Sequence, residues 1–181
     1  VVGSPTIDAD RKNVTLNMVV TPIDDYTFAV TIDAGEWNDL HPEKKKTAGY
    51  RAAEQALRIA YGKPLLAPAY LDSVVKSEAG YKVYIAAEAE LKAYEVINPE
   101  NGKADFSKPA SKVYGFAVLT RDEKCVSCDA ELTDEYVYVK LPEGVAFENV
   151  KELRYLWANC PECVNLYTEK LPVMPGRFVF K

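Results

Sequence analysis

The strongest constraint on this chain lies in residues 65–181. Short runs with alternating apolar and polar positions follow one another at 82–86, 91–97, 111–119, 135–140, 152–157 and 176–180. Turn signals stand between them: Asn98-Pro99 with Gly102, Pro142-Glu143-Gly144, and Met174-Pro175-Gly176. Alternation gives a strand one buried and one solvated face, and many such strands at close spacing predict an antiparallel β-sandwich. There is no internal repeat and no low-complexity segment.

Residues 1–63 follow a different pattern. The segment 7–16 is polar with scattered apolar positions, and 26–32 is β-branched and aromatic, which predicts a buried strand. After a loop, 47–61 shows helical spacing, with Ala48, Ala52, Ala53, Ala56, Leu57 and Ala60 as a small apolar face. Arg51, Glu54, Gln55 and Arg58 are expected on the exposed side. Gly62 followed by Lys63-Pro64 is a helix stop, because glycine tolerates the left-handed cap and proline cannot continue the helix. About 60 residues with one strand and one helix cannot close an α/β core. The expectation is an α/β fragment over 1–63, the end of a larger domain whose remainder is missing or belongs to another chain, followed by a β-sandwich over 64–181.

The totals narrow the classes of partner. The chain has 181 residues, 48% hydrophobic and 27% charged, with a net charge of −5. That balance gives no electrostatic reason to expect nucleic acid or an anionic membrane. No apolar stretch approaches the ~20 residues of a spanning helix. The start, Val1-Val2-Gly3-Ser4-Pro5, has neither the basic beginning nor the apolar core of a signal peptide.

His41 is the only histidine. It falls between the expected strand and the expected helix, on a loop at the C-terminal end of the strand, where open α/β sheets place their chemistry. Imidazole is also the one side chain whose unperturbed pKa lies near neutrality.

These residues carry a resemblance. Val30-Thr31-Ile32-Asp33-Ala34-Gly35-Glu36-Trp37-Asn38-Asp39-Leu40-His41-Pro42, then Lys45, Gly49-Tyr50-Arg51, Ala56-Leu57 and Tyr61-Gly62-Lys63, resembles the last block of sialate O-acetylesterase-like enzymes, which are SGNH-type carbohydrate esterases. Gly115-Phe116, Leu153-Arg154-Tyr155-Leu156-Trp157-Ala158, Asn165-Leu166-Tyr167 and Leu171-Pro172 look like the C-terminal β-domain of the same proteins. The resemblance runs from about residue 7 to 180. It implies an O-acetylated sugar as substrate and a secreted or periplasmic location. In the family a serine attacks the acetyl ester, and the loop histidine, here His41, takes its proton and passes it to the leaving sugar oxygen.

The chain departs from the family in two places. SGNH enzymes commonly carry Asp three residues before the histidine; here that position is Asn38, and Asp39, two before, is the orienting candidate. The serine block is absent: none of Ser4, Ser73, Ser77, Ser107, Ser111 and Ser127 has the Gly-x-Ser-like setting, and the glycine and asparagine oxyanion blocks are missing. The chain alone is therefore expected to be inactive. The alternative is a non-catalytic β-sandwich that serves a carbohydrate-active enzyme as a binding or structural module.

Four cysteines form two C-x-x-C knuckles, Cys125 with Cys128 and Cys160 with Cys163. Four thiolates can close a structural Zn²⁺ site, here a clamp between two distant loops. Disulfides are the competing reading, favoured by an oxidising compartment. A redox role fits poorly, since neither knuckle opens a helix after a βα unit. Among the aromatics, Trp37 could line a sugar subsite. Tyr155 and Trp157 share a strand face, for which sheet packing is the plainer explanation.

Overall fold

The computed structural model describes residues 27–35, 45–97, 104–158, 161 and 163–181, together with the backbone of 6–7 and 14–15. Two short strands, β1 (Thr6–Ile7) and β2 (Val14–Thr15), pair antiparallel. One helix, α1 (Lys46–Tyr61), follows. Then come β3 (Tyr70–Ser77), β4 (Gly80–Ala86), β5 (Leu91–Val96), β6 (Ala104–Ala110), β7 (Lys112–Val113), β8 (Phe116–Thr120), β9 (Cys125–Ser127) and β10 (Ala130–Leu132). The series ends with β11 (Val137–Lys140), β12 (Val150–Tyr155), β13 (Leu166–Thr168), β14 (Leu171–Pro172) and β15 (Gly176–Val179).

The strands from β3 onward form three antiparallel sheets, in the orders β3-β4-β11-β10-β7, β15-β12-β8-β9 and β14-β13-β5-β6. They share one apolar core, in which Tyr155, Phe116, Leu153, Leu166, Val83, Val118, Val137 and Val139 are fully buried. Alternation places them: Val137 and Val139 of β11 point inward while Tyr138 between them is only half-buried. The expected runs at 82–86, 91–97, 135–140, 152–157 and 176–180 appear as β4, β5, β11, β12 and β15. The run at 111–119 is two strands. Gly115 sits at φ +88 between them, and its carbonyl accepts from Leu156 N at 2.8 Å. A Cβ at Gly115 would meet Leu156 Cδ2 at 2.4 Å, so the corner requires glycine on two counts.

Two expectations for the first 63 residues need correction. Residues 27–31 are not laddered to any described strand. A strand needs a neighbour for its N–H and C=O groups, and this segment is held by side chains instead. The helix has its expected stop, with Gly62 at φ 61 and its N–H donating to Leu57 O, but its buried face is not the alanine face. Arg51 and Gln55 are the buried positions, while Ala52, Ala53, Ala56, Leu57 and Ala60 are exposed. The helix turns its polar side to the protein because both polar groups find partners there.

Asn165 joins two sheets. Fully buried, it donates from Nδ2 to Tyr94 O (2.9 Å) and Lys112 O (2.8 Å), and its Oδ1 accepts from Tyr114 N at 3.0 Å. One amide thus satisfies backbone groups of β5, of β7 and of the corner after β7. Glu152 on β12 is similarly tied: its carboxylate accepts from Arg154 Nε (2.8 Å) and Arg177 Nη1 (3.0 Å), with only 7% of its side chain exposed. Burial pushes its pKa up, but the two guanidinium groups outweigh burial and hold it below the ordinary value of 4.5.

Two outcomes follow. Asn165→Ala strands two carbonyls and one N–H and should lower the unfolding free energy by about 3 kcal/mol in urea titrations, with the m-value unchanged. Because the folded-state pKa of Glu152 is depressed, its contribution is present above the ordinary glutamate range and lost as pH falls through the folded value. Glu152→Gln should therefore be less stable than the parent at neutral pH, with the gap in melting temperature closing on acidification.

A braced loop as candidate functional site

The segment that carries His41 leaves the described chain at Gly35 and re-enters it at Lys45. His41 and Asp39 lie outside the described residues, as do Glu36, Trp37 and Asn38. The structure shows how both flanks of this segment are held.

The anchor is Arg51, in the second turn of α1 and 8% exposed. Its Nη1 donates to Val30 O at 2.9 Å and to Asp33 Oδ1. Its Nη2 donates to Asp33 Oδ2 at 2.9 Å and to Lys170 O at 3.1 Å. The guanidinium thus forms a bidentate pair with Asp33 and also reaches a carbonyl on each side, one upstream of the loop and one in the β-rich part. Burial works against the charged guanidinium, but the Asp33 carboxylate outweighs it and raises the Arg51 pKa above its ordinary value.

Tyr167 on β13 completes the brace. Its hydroxyl lies 3.2 Å from Asp33 Oδ2 and 3.3 Å from Val164 O, two acceptors for one proton. Burial first, and then the Asp33 carboxylate, push its pKa well above the ordinary phenol value, so it stays a neutral donor. One turn along the helix, Gln55 Nε2 donates to Leu66 O at 2.9 Å and its Oε1 accepts from Thr27 Oγ1 at 2.8 Å. Local folding supports the arrangement: Ala34 N bonds Thr31 O at 3.0 Å, closing the turn that presents Asp33.

The one carboxylate, Asp33, is already engaged by Arg51 and Tyr167, so the brace is suited to positioning residues. Residue patterning alone assigned Arg51 and Gln55 to solvent. The signal that could have placed them inward was the carboxylate Asp33 just before the loop, a natural partner for a buried arginine.

Three of the four cysteines are among the described residues. Cys125 and Cys128 are free thiols at the start and just beyond the end of β9, the first exposed and the second half-buried. Burial pushes the Cys128 thiol up to about 12. Cys163 sits at φ 59 before β13. Cys160 lies outside the described residues. Among the described residues, no group of three or more His, Cys, Asp or Glu converges as a metal ion requires. Tyr155 is core, as the packing reading expects, and the Trp157 ring faces Arg177, whose guanidinium lies 5.1 Å from the ring centroid. No helix among the described residues is long and apolar enough to cross a membrane.

No family model and no curated protein matches the chain. Among solved structures, its fold is similar to that of a carbohydrate acetylesterase from Xanthomonas citri, at 24% identity and a TM-score of 0.63. The likeness covers 81% of this chain and 31% of that one, so this chain spans about a third of the length of its structural neighbour.

Replacing Arg51 tests the brace. Arg51→Ala leaves the half-buried Asp33 carboxylate without its cation and should cost about 3 kcal/mol in chemical unfolding. Proteolysis within 36–44 should accelerate, because both flanks are released. The double variant Asp33→Asn/Arg51→Met should lose less than the two single losses added together.

Proposed function

We propose that this chain is the C-terminal portion of a carbohydrate O-acetylesterase of the sialate O-acetylesterase-like, SGNH type. In this reading it supplies the catalytic His41 to a serine carried on another segment. The observation that carries the reading is the fold likeness to a carbohydrate acetylesterase over 81% of the chain. The His-Pro loop motif and the Asn165-Leu166-Tyr167 motif support it.

The helix adds physical support. Gly49, Ala53, Ala56, Leu57 and Ala60 lie on the side of α1 away from Arg51 and Gln55, with Tyr50 61% and Tyr61 74% exposed at its margins. Small residues permit close approach of a sheet, and an exposed apolar stripe of this kind calls for a covering layer. Residues 27–31 likewise lack a strand partner among the described residues. Both needs are met by the serine-bearing part of an α/β domain, with 1–63 as its last portion and 64–181 as the appended β-domain.

The proposed reaction is acyl transfer. The serine Oγ attacks the acetyl carbonyl while His41 takes its proton; the imidazolium returns that proton to the sugar oxygen as the C–O bond breaks. Water, activated by the same imidazole, then releases acetate and regenerates the serine. Asp39 would hold the imidazole in one tautomer, and the Arg51–Asp33–Tyr167 brace would hold the loop that carries both.

Assays with p-nitrophenyl acetate separate the outcomes. The 181-residue chain alone should show no turnover above its His41→Ala variant. Joined to a serine-bearing segment of the same type, it should become active, and His41→Ala should then reduce kcat at least about 100-fold. Turnover by the chain alone that a fluorophosphonate abolishes would place the nucleophile inside this chain and overturn the proposal.

A further inference from the structure

A concavity opens in the β-rich part, lined by none of the brace residues. It is a cleft of about 770 Å³ between the corner joining β7 to β8, the segment joining β9 to β10, and the end of β11. That volume is within the range of small-molecule sites, roughly 300–1,000 Å³.

Several backbone groups of its walls are bonded within the protein. Asn165 holds Lys112 O and Tyr114 N, and Gly115 is locked against Leu156. Across the cleft, Cys128 N donates to Phe116 O at 2.9 Å, Lys140 N to Asp129 O at 2.8 Å, and Leu141 N to Ala79 O at 2.9 Å. The backbone therefore has little left to offer a ligand, and recognition falls to the side chains.

Those side chains have a definite character. Two lysines, Lys112 and Lys140, and two carboxylates, Asp129 and Glu143, line the cleft together with Tyr114 and Pro142. None of the four charged groups forms an ion pair with another of them. Their charges sum to zero, so the cleft has no net attraction for a phosphate, a polyanion or a basic peptide. It does offer strong acceptors and strong donors side by side with an aromatic and a proline wall. That combination suits a neutral ligand dense in hydroxyls, each both donor and acceptor, with apolar C–H faces between them. The Lys112 ammonium lies 5.0 Å from the Tyr114 ring centroid, so it is held at the wall. The cleft's one thiol, Cys128, is held protonated by burial, and no histidine lines the walls, so the cleft has no activated nucleophile.

We propose that this cleft is a non-catalytic binding site for a neutral saccharide chain, separate from the esterase centre. The proposal rests on the carbohydrate reading above and extends it: the β-rich part holds the polysaccharide while the His41 loop acts on its esters. Asn165-Leu166-Tyr167 connects the two places, since Asn165 fixes the cleft wall and Tyr167 fixes the loop brace.

Calorimetric titration of the full 181-residue chain tests it, using xylohexaose and cellohexaose as neutral probes and hexagalacturonate and hexalysine as charged ones. At least one neutral hexasaccharide should bind and both charged probes should not. Asp129→Asn and Glu143→Gln, at exposed side chains, should each weaken binding roughly tenfold, as loss of one charge-assisted hydrogen bond does. Asp134→Asn, outside the cleft, should leave it unchanged, and the melting temperature of every variant should match the parent. Binding confined to a charged probe, no binding of either neutral probe, or neutral binding indifferent to both cleft substitutions would overturn the proposal. Esterase activity without saccharide binding would sink the cleft and leave the esterase reading standing. Cleft-dependent binding in a reconstituted protein that lacks esterase activity would do the reverse.

Discussion

A guanidinium withdrawn from water needs an acceptor for most of its N–H groups, and Arg51 finds them on two separate stretches of chain. Val30 and Asp33 lie before the segment that carries His41, Arg51 itself lies after it, and Lys170 belongs to the β-rich part. No apolar contact could impose the same geometry, because dispersion is non-directional while a planar fork paired with a carboxylate fixes both distance and plane. The helix, the turn at 31–35 and the strand β13 are oriented with respect to one another by this one side chain and its partners, and Tyr167 adds a second bond from the β side. Removing a buried pair's cation is costly for the same reason that the pair is specific: the carboxylate stays behind.

The β-rich part uses the same device with an amide. Asn165 meets backbone groups from two sheets and so ties β5 to β7 and to the corner after it. Gly115 and Leu156 face each other across a corner where both take left-handed backbone angles. The corner splits one apolar run into β7 and β8 in different sheets. The cleft proposed to hold a saccharide is the concavity left at that split. Bonds that serve folding, those of Asn165 and Gly115 among them, also fix parts of its walls.

The reading as a partial esterase joins these two halves. A histidine loop is useful only if its imidazole is held where a serine can reach it, and a brace from the appended β-domain is one way to hold it. In that reading the apolar side of α1 would face the serine-bearing sheet, while its polar side faces the brace. Helix α1 would serve as the joint between two layers, with opposite chemistry on its two faces.

Strand existence was legible for the runs with clean alternation, such as 135–140, because period-two patterning is local. β6 was not, since Pro109 interrupts its run; it is an edge strand, where a missing N–H is tolerated. The short strands β9, β10, β13 and β14 escaped because two or three residues carry too little pattern to detect. The candidate residues His41 and Asp39 lie outside the described residues, and the motif residues Asp33, Arg51 and Tyr167 were visible without roles. What the sequence determined by itself was the antiparallel class and the helix with its stop at Gly62, each encoded by neighbours a few residues apart. What only the tertiary structure decided was which helix face turns inward, where β7 parts from β8, and how Arg51 and Asn165 are used. Those depend on partners 18 to 119 residues distant for Arg51 and 51 to 71 for Asn165, and no local pattern records a hydrogen bond across that separation.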